Sequence, residues 1–132
     1  MYLVFNSDPA SGEDGIWQPR EIMRNHLNAA LVTLSACQTA RGKVMGADGN
    51  ASLVTPFLAA GAKAVVATLW DSDDLFTRAL MREFYGEVSR GAPPADALQK
   101  AKLDLISHYG KAAPPYLWAG FILTGANNRI IP

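Results

Sequence analysis

Apolar residues fall along this chain in short blocks set between polar, glycine-bearing stretches, and the blocks change period from one to the next. Residues 2–5 (Tyr-Leu-Val-Phe) predict a short strand, and the polar stretch after them predicts a loop as far as Gly15. Pro19 suits the first turn of a helix, which the pattern carries to about residue 28. Residues 31–36 (Leu-Val-Thr-Leu-Ser-Ala) form a continuous apolar run of the kind found in strands covered on both faces. A loop with Gly42, Gly46 and Gly49 follows, then a short predicted helix over 51–60, closed by Gly61. Pro56 lies inside that segment and removes a hydrogen bond unless the helix starts near Thr55. Residues 64–70 predict a third strand, apolar on both faces. The spacing Phe76, Leu80, Phe84, Val88 predicts a helix over 73–89. Gly91-Ala92-Pro93-Pro94 turns the chain into another helix over 95–107, and residues 120–124 predict the last strand. Strands alternating with helices predict an α/β domain with a largely parallel, helix-covered sheet. Two consecutive helices precede the last strand, which leaves room for it to run antiparallel.

Composition narrows the partners. At 132 residues the chain is about one domain, and 49% hydrophobic with 18% charged residues fits a compact fold. Twelve basic and twelve acidic residues cancel with no stretch of one sign, so a nucleic-acid partner is not expected. No apolar run approaches the ~20 residues a membrane span needs, and the first residues lack the features of a signal peptide. One cysteine excludes a disulfide framework and suits a reducing compartment, so the expected location is the cytoplasm. Strand-like residues begin at position 2, which suggests that the domain is longer than this chain.

The chemistry centres on that cysteine. Cys37 follows the apolar run at 31–36, just past a strand's C-terminal end, where open α/β sheets bind and transform ligands. A cysteine nucleophile needs a base, usually a histidine within hydrogen-bond reach. The competing reading is a small, buried and inert thiol. Two histidines are present. His26 precedes the same strand, and six strand residues span ~20 Å, so it is expected at the wrong end, on a helix surface. His108 ends the helix that climbs back towards the Cys37 edge, where a helix C-terminus also favours its charged form. Arg41 and Lys43 follow the cysteine and could lower its pKa; solvated loop charges are the plainer reading. Asp71, Ser72, Asp73 and Asp74 crowd the end of the third strand. They suit either a pocket for a basic side chain or capping of the next helix by Asp71 or Ser72. Trp70 and Trp118 suit either a substrate platform or packing. No residues have metal-ligand or phosphate-loop spacing, so no metal and no cofactor is expected.

Ser35-Ala36-Cys37-Gln38-Thr39 resembles the strand-end cysteine motif of caspase-like peptidases. Residues 57–70 (Phe-Leu-Ala-Ala-Gly-Ala-Lys-Ala-Val-Val-Ala-Thr-Leu-Trp) with Asp73-Asp74 resemble the CHAT domain family, caspase-like domains often fused to tetratricopeptide repeats. Residues 80–85, Ala97-Leu98 with Ala101, and residues 115–121 (Pro-Tyr-Leu-Trp-Ala-Gly-Phe) extend the likeness, which covers about 14–125. The resemblance implies a caspase-like three-layer sandwich with a mostly parallel sheet, the first part of the domain missing, and residues 1–132 as one N-terminally truncated CHAT domain. It implies a clan-CD cysteine peptidase with Cys37 as nucleophile acting on a protein or peptide. The family's basic histidine, followed by glycine, would lie upstream of Tyr2, supplied by an upstream segment or a tetratricopeptide-repeat region. The family places Asp73 and Asp74 beside the cleft, and Asp48 matches a position often acidic there; all three are candidate substrate contacts. The alternative is a non-catalytic remnant serving as an interaction module, pairing with a partner through an exposed sheet edge.

Overall fold

The structure, a computed structural model, describes residues 2–6, 10, 12, 14–35 and 51–130. Two short strands open it: β1 (Leu3–Val4) pairs antiparallel with β2 (Ile16–Trp17), Leu3 opposite Trp17. The predicted first strand is therefore one arm of a hairpin. Its partner was not foreseen, because two residues are too few to show a period. Helix α1 (Pro19–Arg24) begins on its proline, and Glu21 Oε2 accepts from the Gln18 N–H at 2.7 Å. It stops four residues short of the expected end. Asn25 Nδ2 takes the Glu21 carbonyl, while the Leu27 N–H is drawn to Ala60 O at 2.7 Å. A tertiary bond thus ends this helix early.

The main sheet has three strands, β3 (Val32–Leu34), β4 (Ala64–Thr68) and β5 (Phe121–Gly125), in that spatial order. β3 and β4 are parallel, with Val32 opposite Val65 and Leu34 opposite Ala67. β4 and β5 are antiparallel, with Val66 opposite Leu123 and Thr68 opposite Phe121. Among the described residues the sheet is mixed, which corrects the expectation of a largely parallel one. The antiparallel last strand is as the chain reversal allowed.

Every residue of β4 is buried, and its side chains alternate between two clusters. Val65 and Ala67 pack with Ile22 of α1, with Leu53, Val54 and Phe57 of α2 (Ala51–Ala59), and with Leu3 and Trp17 of the hairpin. Val66 points the other way, into Phe76, Leu80 and Phe84 of α3 (Asp74–Ser89), Leu98, Ala101 and Leu105 of α4 (Pro94–Tyr109), and Leu117 of α5 (Pro115–Trp118). Helices therefore cover both faces. Each fully buried large side chain contributes about 1.5–3 kcal/mol.

Helix α2 runs through Pro56 instead of starting beside it. Proline inside a helix costs about 3 kcal/mol. Burial of Leu53, Val54 and Phe57 offsets that cost. Gly61 then takes φ +106°, and a Cβ there would meet Leu27 O at 2.6 Å, so no side chain fits.

Helices α3 and α4 pack as a hairpin. Glu87 closes its turn, paired with Arg90 Nη1 at 2.6 Å and with Lys100 Nζ at 2.5 Å. The Lys100 ammonium, first among these contacts, holds the Glu87 carboxyl below its ordinary value. At the other end of the pair, Phe76 near the start of α3 meets Tyr109 at the end of α4, ring centres 5.8 Å apart. The chain leaves β4, descends α3, climbs α4 and re-enters the sheet at the edge where β4 ended.

Candidate functional site

That edge is the candidate site. β3 and β4, being parallel, both finish there, and β5 starts there. Ser35 is the last described residue beyond β3. Cys37, Arg41, Lys43 and Asp48 lie outside the described residues. The rest of the edge is built by residues 69–74 against residues 113–121.

Hydrogen bonds pin the segment after β4. The Leu69 N–H donates to Gly120 O at 2.9 Å, Trp70 Nε1 donates to Tyr116 O at 2.7 Å, and Ser72 Oγ donates to Leu117 O at 2.9 Å. Asp73 is the residue that caps α3: its Oδ1 accepts from the Phe76 N–H at 2.9 Å. This corrects the assignment of the cap to Asp71 or Ser72. The Ser72 hydroxyl is already committed to Leu117 O, a partner 45 positions away that no local pattern reveals. Asp71 and Asp74 are exposed, Asp74 in the first turn of α3, where the helix dipole favours a carboxylate. Asp73 and Asp74 both lie at the strand-end edge, where Asp73 is engaged as the cap of α3.

The two tryptophans named together by sequence differ. Trp118 is partly buried against the α3–α4 cluster and donates to Ala113 O at 3.0 Å, so it packs. Trp70 stays 42% exposed. One contact here had no sequence signal: Lys102 of α4 reaches β5 and donates from Nζ to Phe121 O at 2.7 Å. Burial pushes the Lys102 ammonium below its ordinary pKa.

The histidines separate as their order in the chain implied. His26 follows α1 instead of lying on it, beside a shallow hollow lined by Leu27, Asn28, Ala60 and Gly61 at the N-terminal side of β3. It is at the edge opposite the one where β3 ends. His108 is exposed at the end of α4, its ring edge-on to Tyr109 with centres 4.7 Å apart. Through Tyr109 and Phe76 it belongs to the candidate edge.

An α/β domain with a mixed sheet, helices on both faces and an acidic, aromatic strand-end edge is the class that these observations define. The CHAT domain matches this sequence over residues 1–126, and the chain belongs to that family. Tetratricopeptide repeat protein 28 of Mus musculus is 31% identical over 110 residues, which are 83% of this chain and 4% of that protein. The Homo sapiens protein of the same name is 30% identical over 110 residues, with the same shares covered. The chain therefore spans a small fraction of the length of the curated relatives it matches. Among the described residues, no helix is long and apolar enough to cross a membrane.

Proposed function

We propose that this chain is part of a caspase-like cysteine endopeptidase domain with Cys37 as its nucleophile. The observation that carries this reading is the CHAT match together with the parallel pairing of β3 and β4, whose C-terminal ends share one edge. In this reaction a histidine takes the thiol proton, and the thiolate attacks the scissile carbonyl of a protein or peptide. The Cys37 N–H helps to hold the tetrahedral oxyanion. The histidine returns its proton to the leaving amine, and water then releases the acyl group. The resemblance puts that histidine upstream of Tyr2, supplied by an upstream segment or a tetratricopeptide-repeat region. Asp48, Asp73 and Asp74 contact substrate in this reading. The reducing cytoplasm, where a lone thiol persists, is the matching location.

The test uses the full-length protein with a peptide acyloxymethyl ketone, an electrophile that alkylates activated thiols. Cys37 in the native protein reacts at least tenfold faster than in denatured protein, and Cys37→Ala abolishes labelling. Equal rates would refute nucleophilic activation. The second reading is a non-catalytic interaction module. It draws on β3, whose outer side pairs with no strand among the described residues, an edge open to strand addition. Equal labelling rates together with peptide-induced protection of β3 amides would favour it.

A further inference from the structure

We propose that residues 125–130 form a releasable strap that locks the first turn of α4 and opens as one unit before the rest of the domain unfolds. The start of α4 has no cap of its own. Pro93, at the N-cap position, has no side-chain oxygen to offer, and Pro94 brings no N–H. The first orphan donor of this helix is therefore the Ala95 N–H. Its acceptor comes from 32 positions away: Asn127 Oδ1 takes it at 2.7 Å.

The path of the tail is set by its own residues. β5 ends on Gly125 at φ +112°, where a Cβ would run into Lys63 O and lie 2.9 Å from Ala64 Cα. Only glycine lets the chain leave the sheet in this direction. The Ala126 N–H then donates to Lys63 O at 2.8 Å, and Ile130 packs against the α3–α4 cluster. At the other end of β5, Lys102 already ties α4 to Phe121 O. The strand is thus braced on α4 at both ends, by an ammonium at one and by the strap at the other.

The strap is the weaker brace. Asn127, Asn128 and Arg129 are exposed, and Ala126 and Ile130 are only partly buried. By contrast, every residue of β4 is buried. Segments with few buried contacts and exposed hydrogen bonds open at a much lower free energy than a buried strand. Ile130 is the apolar anchor of the tail and Asn127 its polar one, three residues apart on a single path. Losing the first frees the second. The Ala95 N–H is then uncovered and the first turn of α4 frays, while Lys102 still holds the helix further along. The strap therefore switches the N-terminus of α4 between a capped and a free state.

Amide hydrogen exchange of the full chain, resolved by residue at increasing sub-denaturing urea, tests this. Ala95 and Ala126 are expected to share one opening with a shallow urea dependence, about a hundredfold more frequent than the steeply urea-dependent opening of Val66. Ile130→Ala raises exchange at Ala95 and Ala126 together, by about fivefold, and Asn127→Ala raises Ala95 by a similar factor. Asn127→Asp, which keeps an acceptor, leaves Ala95 protected. Should Ile130→Ala fail to fold, Ile130→Val gives the same paired increase on a smaller scale. Unchanged Ala95 exchange in the Ile130 variants overturns the proposal, as does a parent Ala95 that opens only with Val66. Equal exchange in Asn127→Ala and Asn127→Asp also overturns it. Cys37 takes no part in these measurements, so their outcome is independent of the peptidase reading.

Discussion

Two glycines of the α3–α5 half show how much one hydrogen in place of a methyl group can decide. Gly86 lies inside α3, and among the described residues outside the helix backbone a Cβ there would meet only Arg90 Nη1, at 3.8 Å, an ordinary contact. Its flexibility is a cost without a steric return, so Gly86→Ala is expected to stabilise the protein by about 0.5–1 kcal/mol. Gly120→Ala is expected to do the reverse by about 1–3 kcal/mol, because the new methyl must displace the Trp70 ring. Urea unfolding of both variants beside the parent checks the pair. Neither sign was legible from sequence. Gly120 reads only as the start of an apolar run, and its conflict is with a residue 50 positions away.

Helix α3 was the most legible element. Its stripe Phe76, Leu80, Phe84, Val88 predicted 73–89, and all four residues are buried in Asp74–Ser89. A long amphipathic helix repeats its signal over several turns, so local errors average out. The cap was misread, because four neighbouring residues offer oxygen atoms and only the fold shows which one faces the Phe76 N–H. Asp73→Ala is expected to cost about 1 kcal/mol and Asp71→Ala less than about 0.5 kcal/mol. Thermal or urea unfolding of the two variants distinguishes them, and equal losses would contradict the cap geometry. Helix α1 fails in the opposite way. With six residues it has little signal of its own, and the Leu27–Ala60 bond sets its end.

The molecule as a whole is organised around β4, five consecutive buried residues that feed two cores. Val65 and Val66 are neighbours in sequence yet belong to clusters on opposite faces. Neither half can lose its packing without stripping one side of this strand, so the two faces are expected to unfold together. Variants that retain only Trp17 or only Trp118 report on one face each. Their denaturant midpoints, measured by fluorescence and corrected for each variant's stability by circular dichroism, are expected to coincide. Separated transitions would show that the faces are independent.

Sequence by itself determined the α/β class, the order of the larger elements, the family and the position of Cys37 after an apolar run, because periodicity and strand-end chemistry are local properties. It also separated the histidines, since strand direction follows from counting residues. The tertiary structure alone decided that the first strand is one arm of a hairpin, that the main sheet is mixed, that Asp73 caps α3, and that Trp70 is pinned outward while Trp118 packs. Each of those depends on a partner between 3 and 61 residues distant, chosen among chemically equivalent neighbours by which atoms the fold brings within reach.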